Sequence, residues 1–378
     1  MQSKRGLIWP MLASLLLPWL AAWFAYPATH LPPKFGVFPP VFVQAAPAFN
    51  WTIFIVLALV ELGVVAFLLF PQWFGFKPVT PPAPAPRASL PAWFWFGAAS
   101  MLFFWWLMWA RVTPFGDLVY YAFTPLWWGF ILVLDGLTYR RNNGQSLLSG
   151  RPKTFLITAL FSLAGWCYFE YFDYFVLSNW YYPNGHMPAL SHATIVLLYL
   201  LAYTTVWPVI FECYTLLKTF PRLSVRYSDG PKLALPGGLL LWGGFALIVL
   251  MVLLPHPLFW GVWIGPLCVV AGMLIRHGAW TPFTAMAQGN WSPALLMALA
   301  SLCIALFWEG WNYGSAHPDL ALPTNPNYWM YDIPYVNVIH IFSEMPLLGY
   351  MGYLPFGVLV WLMFIWAGLV FGFDSRIE

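Results

Sequence analysis

About ten apolar stretches, each long enough to cross a bilayer as a helix, follow one another along this chain with only short polar links between them. They lie near 7–27, 50–70, 91–110, 118–138, 154–175, 191–217, 236–255, 258–275, 293–313 and 346–371. Only 8% of residues are charged, against roughly a quarter in soluble domains, and the links leave no room for a soluble domain. The sequence therefore predicts an all-α, polytopic integral membrane protein with about ten transmembrane helices.

The spans are not all independent. Ala159 to Tyr174 reads ALFSLAGWCYFEYFDY, and Ala298 to Tyr313 reads ALASLCIALFWEGWNY. The two align without a gap and share Glu170/Glu309 and Tyr174/Tyr313, with Asp173 matched by Asn312. Outside them Gly136 matches Gly272, and Arg140 matches Arg276. This self-similarity predicts two N-terminal spans with a Pro/Ala-rich linker (1–90), then four-helix repeat A (91–234) and four-helix repeat B (235–378). An even number of spans per repeat makes the repeats parallel, related by an axis along the membrane normal. The linker itself, PVTPPAPAPRASLP, is too rich in proline for a helix and should be extended.

Cation placement sets the orientation. With the N-terminus inside, Lys4, Arg5, Lys77, Arg87, Arg140, Arg141, Arg151, Lys153, Lys218, Arg222, Arg226, Lys232, Arg276 and Arg376 are all cytoplasmic. Only Lys34 and Arg111 fall outside. Both termini are then cytoplasmic in a multi-pass cell-membrane protein of the bacterial inner-membrane type, although the first span also fits a signal sequence. The net charge of +3 reports this topology and gives no reason to expect nucleic acid. Cys167, Cys213, Cys268 and Cys303 lie inside predicted spans with no CxxC spacing, as small packing residues do.

Carboxyl groups are costly within a bilayer and mark candidate sites. Glu170, Glu309 and Asp173 are the candidate catalytic residues, near the outer ends of the duplicated helices. Spacing of i, i+3 places each Glu on one face with Asp173 or Asn312. Convergence of the two Glu residues on a shared site would hold a proton between them. A repeated structural hydrogen bond to Tyr or Trp donors would leave the same pattern. Glu61 in the second span and Glu212 in WPVIFECY are candidate proton-relay groups, and Pro208 and Pro355 mark breaks in the last span of each repeat.

The outer loops 176–190 and 314–345 lack Lys and Arg but are rich in Trp, Tyr, Asn and His, which suits a lid at the interface. Asn312, Trp180, Tyr181, Trp329, Tyr331, His340 and Glu344 are the candidate substrate-binding residues. His340 and Glu344, at i, i+4, would share a face of a short helix; one His and one carboxylate are too few for a metal site, and none is predicted. There is no GxGxxG, P-loop, HExxH or DDxxD-type motif, and no cofactor is indicated.

The segments LWWGFILVLDGLTYRRNNGQSLL, FEYFDY, NWYY, PVIFE, FWEGWNY, NYWMY and SEMPLLGYMGYLPFG resemble a family of bacterial multi-spanning proteins that carries no assigned activity. A more distant similarity is to the lycopene cyclase domain, in which a Trp-rich segment precedes a Pro and paired Glu. Here only Pro208 with Glu212, and Glu344 with Pro346, stand in that place, so no catalytic residue carries over. The expectation is a protein that binds or transforms a hydrophobic, isoprenoid-like lipid, pigment or quinone at an outer-leaflet site lined by carboxylates and aromatics. The alternatives are a transporter with parallel repeats, or a structural subunit with protein partners in a membrane complex.

Overall fold

The computed structural model describes residues 4–111, 113–317 and 324–377. Eleven helices of twelve residues or more carry the fold: α1 (Arg5–Ala25), α2 (Trp51–Leu69), α3 (Ala92–Ala110), α4 (Phe123–Arg141), α5 (Pro152–Asp173), α6 (His192–Tyr203), α7 (Val206–Lys218), α8 (Gly237–Leu253), α9 (Gly261–Arg276), α10 (Ser292–Ala316) and α11 (Tyr353–Phe371). The strands among the described residues are β1 (Trp180–Tyr181) and β2 (Met330–Tyr331), so the all-α class holds. Every predicted apolar stretch is helical. Seven helical segments are long and apolar enough to span, and an eighth if Pro114–Tyr121 and Phe123–Arg141, bent by 64°, count as one. Two predicted spans, α8 and α9, are shorter, at 17 and 16 residues.

Small residues let these helices touch backbone to backbone, the mode available where burial from water gives no drive. A Cβ on Gly97 of α3 would lie 2.7 Å from the Gly129 carbonyl of α4, and one on Gly244 of α8 would lie 2.8 Å from the Gly265 carbonyl of α9. Each of these helix pairs leads through a one-turn helix with a reciprocal cap, Ser146 with Ser149 and Thr281 with Thr284, into a helix that carries a buried Glu.

The span 192–218 is broken at Thr204 and Thr205, just before Pro208. Ser162 of α5 repairs the break: its hydroxyl donates to the Tyr203 carbonyl and accepts from Trp207 N at 3.0 Å. Freed backbone groups inside a membrane need such a partner.

The cationic residues gather at one end. Lys4 Nζ donates to the Val370 carbonyl, Arg141 reaches Thr219, and Arg151 pairs with Asp374. The linker forms neither helix nor strand and passes this end, where Ala88 N donates to Arg140 O. At the opposite end, Arg111 donates to the His317 carbonyl. There the loops after α5 and α10 meet, with β1 and β2 antiparallel and Trp180 opposite Tyr331. The loop before α2 closes over them through Tyr182 N to Pro40 O and Tyr335 N to Pro47 O. Helix α2 stands apart and exposes most of its length, touching the bundle near its two ends.

Candidate functional site

A cavity of about 280 Å³ lies below the paired loops, a little under the ~300–1,000 Å³ of ordinary small-molecule sites. Its wall is aromatic: Trp166, Trp180, Trp263, Trp308 and Trp329 with Tyr182, Tyr203, Tyr331 and Tyr353. Glu61 is the one carboxylate in the lining, which contains no Lys, Arg or His.

Glu170 and Glu309 stand behind this wall, each held by tyrosines that reach the cavity. Glu170 is 3% exposed. Its Oε1 accepts from Trp166 Nε1 at 2.9 Å, from Tyr203 Oη at 2.9 Å and from Tyr182 Oη, and its Oε2 accepts from Trp180 Nε1 at 3.3 Å. Glu309 is fully buried. Its Oε1 accepts from Tyr353 Oη at 2.6 Å and Tyr331 Oη at 2.7 Å, while its Oε2 has no partner. Trp329 Nε1 donates to Tyr331 Oη at 2.8 Å. No hydrogen bond joins Glu170 to Glu309. The two carboxylates do not share a proton directly; each occupies its own cradle, and the cradles open on one cavity.

The other predicted residues fall in three groups. Trp180, Trp329, Tyr331 and Glu61 line the cavity. Asn312 braces the wall, accepting from Trp329 N at 3.1 Å and donating to Trp329 O at 2.8 Å, and its counterpart Asp173 is fully buried facing the backbone N–H groups of Asn179 and Trp180. Tyr181 faces Met330 Sδ across the strand pair and does not line the cavity.

His340 and Glu344 do not form a helical pair. Residues 340–346 form a bend in which His340 Nδ1 meets the Glu344 backbone carbonyl, because Ile339 and Phe342 take positive φ and Pro346 closes the turn. The Glu344 carboxylate instead meets His317 Nε2 at 2.8 Å and Tyr328 Oη at 2.5 Å. Glu212 lies away from the cavity, buried beside Asp135 of α4. Among the described residues no three His, Cys, Asp or Glu side chains gather as a metal site would require.

Glu61 has no hydrogen-bond or ion-pair partner among the described residues. It sits in the middle of α2, where an isolated ionised group is expensive, and borders the cavity instead of lipid alone. Asn327, also in the lining and 5% exposed, has a partnerless Nδ2. These two polar groups are what the wall leaves available to a bound molecule.

The tyrosines and tryptophans of the cradles were missed residue by residue, apart from Trp180, Trp329 and Tyr331. Tyr203 and Tyr353 stand just before Pro208 and Pro355 in the last span of each half, and that placement was the available signal. Burial first, then the Glu170 carboxylate, pushes the Tyr182 phenol well above its ordinary range. Burial and Glu309 do the same to Tyr331. Both therefore keep their protons at neutral pH and act as donors.

No family model, curated protein or solved structure matches the chain.

Proposed function

We propose that this multi-pass membrane protein binds a hydrophobic, ring-bearing or isoprenoid-like ligand, of the lipid, pigment or quinone class, in the aromatic cavity. The observation that carries the reading is the cavity's combination of an aromatic-rich, otherwise mostly aliphatic wall with one partnerless carboxyl group, Glu61. Flat conjugated or branched chains pack well on indole and phenol faces, and the ligand's polar end supplies the hydrogen bond that Glu61 lacks. A cavity of 280 Å³ takes a head ring or a chain terminus, with the rest of a long ligand extending past α2 into the bilayer. With the cationic end cytoplasmic, the cavity opens toward the outer leaflet.

Proton chemistry at this site would pass through tyrosine. Tyr331 and Tyr353 line the cavity and donate their hydroxyls to Glu309, whose second oxygen has no partner, so carboxyl and phenols form one hydrogen-bonded set beside the ligand.

We also read the chain as two parallel repeats. The same devices recur in the same order in each: a glycine crossing, a capped single turn, a Glu-bearing helix, and a last span that supplies a tyrosine. The antiparallel pairing of β1 with β2 is what a two-fold axis between such units produces. Broken spans also favour a second reading, a transporter that exposes the cavity alternately to the two sides.

The deciding experiment is mass spectrometry of small molecules and proteins that copurify from the native membrane, with quenching of cavity Trp fluorescence by a quinone and a polyene. Wild type is expected to retain a hydrophobic ligand and to be quenched saturably, and Glu61→Gln to lose most of that binding while folding normally. Defined protein partners with no ligand and no quenching would replace this reading with that of a complex subunit. Protection of a Leu57→Cys thiol that switches between sides with ligand would favour the transporter.

A further inference from the structure

We propose that the polar end of the ligand is a conjugated carbonyl, so that the aromatic cavity selects a quinone or ring ketone over a hydrocarbon of the same shape. This rests on the reading above, in which the cavity takes a hydrophobic, ring-bearing molecule, and it names the chemistry of that molecule's head. Which polar groups of the wall are already engaged decides it.

Six tryptophans line the cavity, and four commit their N–H to the protein. Trp166 and Trp180 donate to Glu170, Trp329 donates to Tyr331 Oη at 2.8 Å, and Trp260 donates to the Pro257 carbonyl at 3.1 Å. Trp263 and Trp308 differ. Their Nε1 atoms make no hydrogen bond among the described residues, although Trp308 is only 7% exposed. Trp263 also has room in front of it: a Cβ on Gly352, itself in the lining, would stand 4.0 Å from Nε1 and meet no atom nearer. Both indoles pack on Phe356, with ring centroids at 5.3 and 6.4 Å, which puts the two unengaged donors in one part of the wall. Asn327, 5% exposed and with a partnerless Nδ2, adds a third.

An indole N–H can only donate, so a ligand satisfies it only with an acceptor. A hydrocarbon has none, and its binding would leave these donors without water or partner. A carbonyl oxygen accepts through two lone pairs and brings no proton that needs an acceptor in turn. A hydroxyl does bring one. The tyrosine oxygens of the wall are turned onto Glu170 and Glu309, so a quinol's two O–H groups meet a wall whose unengaged groups are mainly donors. Glu61 does not discriminate, because a neutral carboxyl donates and a charged one accepts. It anchors the ring, and the N–H groups choose its oxygen.

Three short-chain ligands of one ring size and tail test this: a quinone, its quinol and the parent hydrocarbon, each binding to the full chain in mild detergent by equilibrium dialysis. The quinone is expected to bind about tenfold tighter than the hydrocarbon and several-fold tighter than the quinol. Asn327→Leu replaces a side chain that makes no hydrogen bond among the described residues, and should cut the preference for quinone over hydrocarbon about fivefold. Trp263→Phe and Trp308→Phe should each do the same. With ¹³C at the quinone carbonyls, the C=O stretch should move to lower frequency on binding and part of the way back in each variant, a readout that a packing role would not move. The inference is overturned by a hydrocarbon that binds as tightly as the quinone, by a quinol that binds more tightly, or by variants that weaken all three ligands alike. In each of those cases the cavity still holds a hydrophobic ring and the broader reading stands. If none of the three ligands binds, both are overturned.

Discussion

Glu170 and Glu309 occupy matching places on matching helices, yet one is saturated and the other is not. Both oxygens of Glu170 are taken, by two indoles and two phenols plus their neighbours' packing. Glu309 has two phenols on one oxygen and nothing on the other. Fully satisfied buried polar networks fix a unique packing, whereas a partly satisfied one keeps capacity in reserve. The pair therefore divides the labour: the Glu170 cradle holds the roof of the cavity in place, and the Glu309 cradle can exchange a proton or a partner.

The sharpest way to break this comparison is to replace both carboxylates by amides. Glu170→Gln offers its donors a weaker acceptor and puts an N–H₂ among N–H and O–H groups, so at least one buried donor is orphaned at about 1–3 kcal/mol. The expected result is a clearly lowered unfolding midpoint in detergent. Glu309→Gln can direct its oxygen to Tyr331 and Tyr353 and its amide to the empty side, for a loss of about 1 kcal/mol or less. Equal losses would remove the distinction.

Phenylalanine at Tyr203 and Tyr353 comes next. Tyr203→Phe leaves Glu170 with three donors and should cost about 1 kcal/mol. Tyr353→Phe leaves Glu309 with one and should in addition change cavity-Trp quenching by a bound quinone. A Tyr203→Phe protein with the larger ligand defect would reverse the assignment.

Glu61→Gln should leave the midpoint unchanged or raise it, since no protein partner is lost, while reducing ligand quenching most of all. A strong destabilisation would show that Glu61 holds the fold.

The smallest effect belongs to an exposed carboxylate. The Arg376 guanidinium, with help from Arg151, holds Asp374 down to about 2, below the usual carboxylate range. A lowered folded-state value means the contribution is present above the unfolded value near pH 4 and fades as pH falls toward 2. For a surface pair this amounts to about 0.5 kcal/mol. Unfolding midpoints of wild type and Asp374→Asn should therefore differ slightly at pH 5 and coincide near pH 2.

Much of this arrangement was legible in the chain. Apolar length alone placed the helices, and the repeated Glu marked both cradles together with the alternative of Tyr and Trp donors around them. Two features escaped for physical reasons. Tyr203 and Tyr353 lie 33 and 44 positions beyond their carboxylates, and only packing brings them back. The His340 and Glu344 spacing implied a helix, but Ile339 and Phe342 take positive φ and Pro346 closes the turn, so Glu344 meets His317 from across the loop instead. Residues 318–323 of the predicted outer loop lie outside the described residues.

Helix α2 is tied at both ends. Tyr227 Oη and Arg226 bind the carbonyls of Leu68 and Leu69, and Asn50 N binds the Tyr335 carbonyl at the other end. A 19-residue helix is about 28 Å long, close to the thickness of the hydrocarbon layer. Held in this way, it can neither slide nor shorten; it can only tilt or bow. The width of the gap beside Glu61 then becomes a function of bilayer thickness, set differently in thin and in thick membranes.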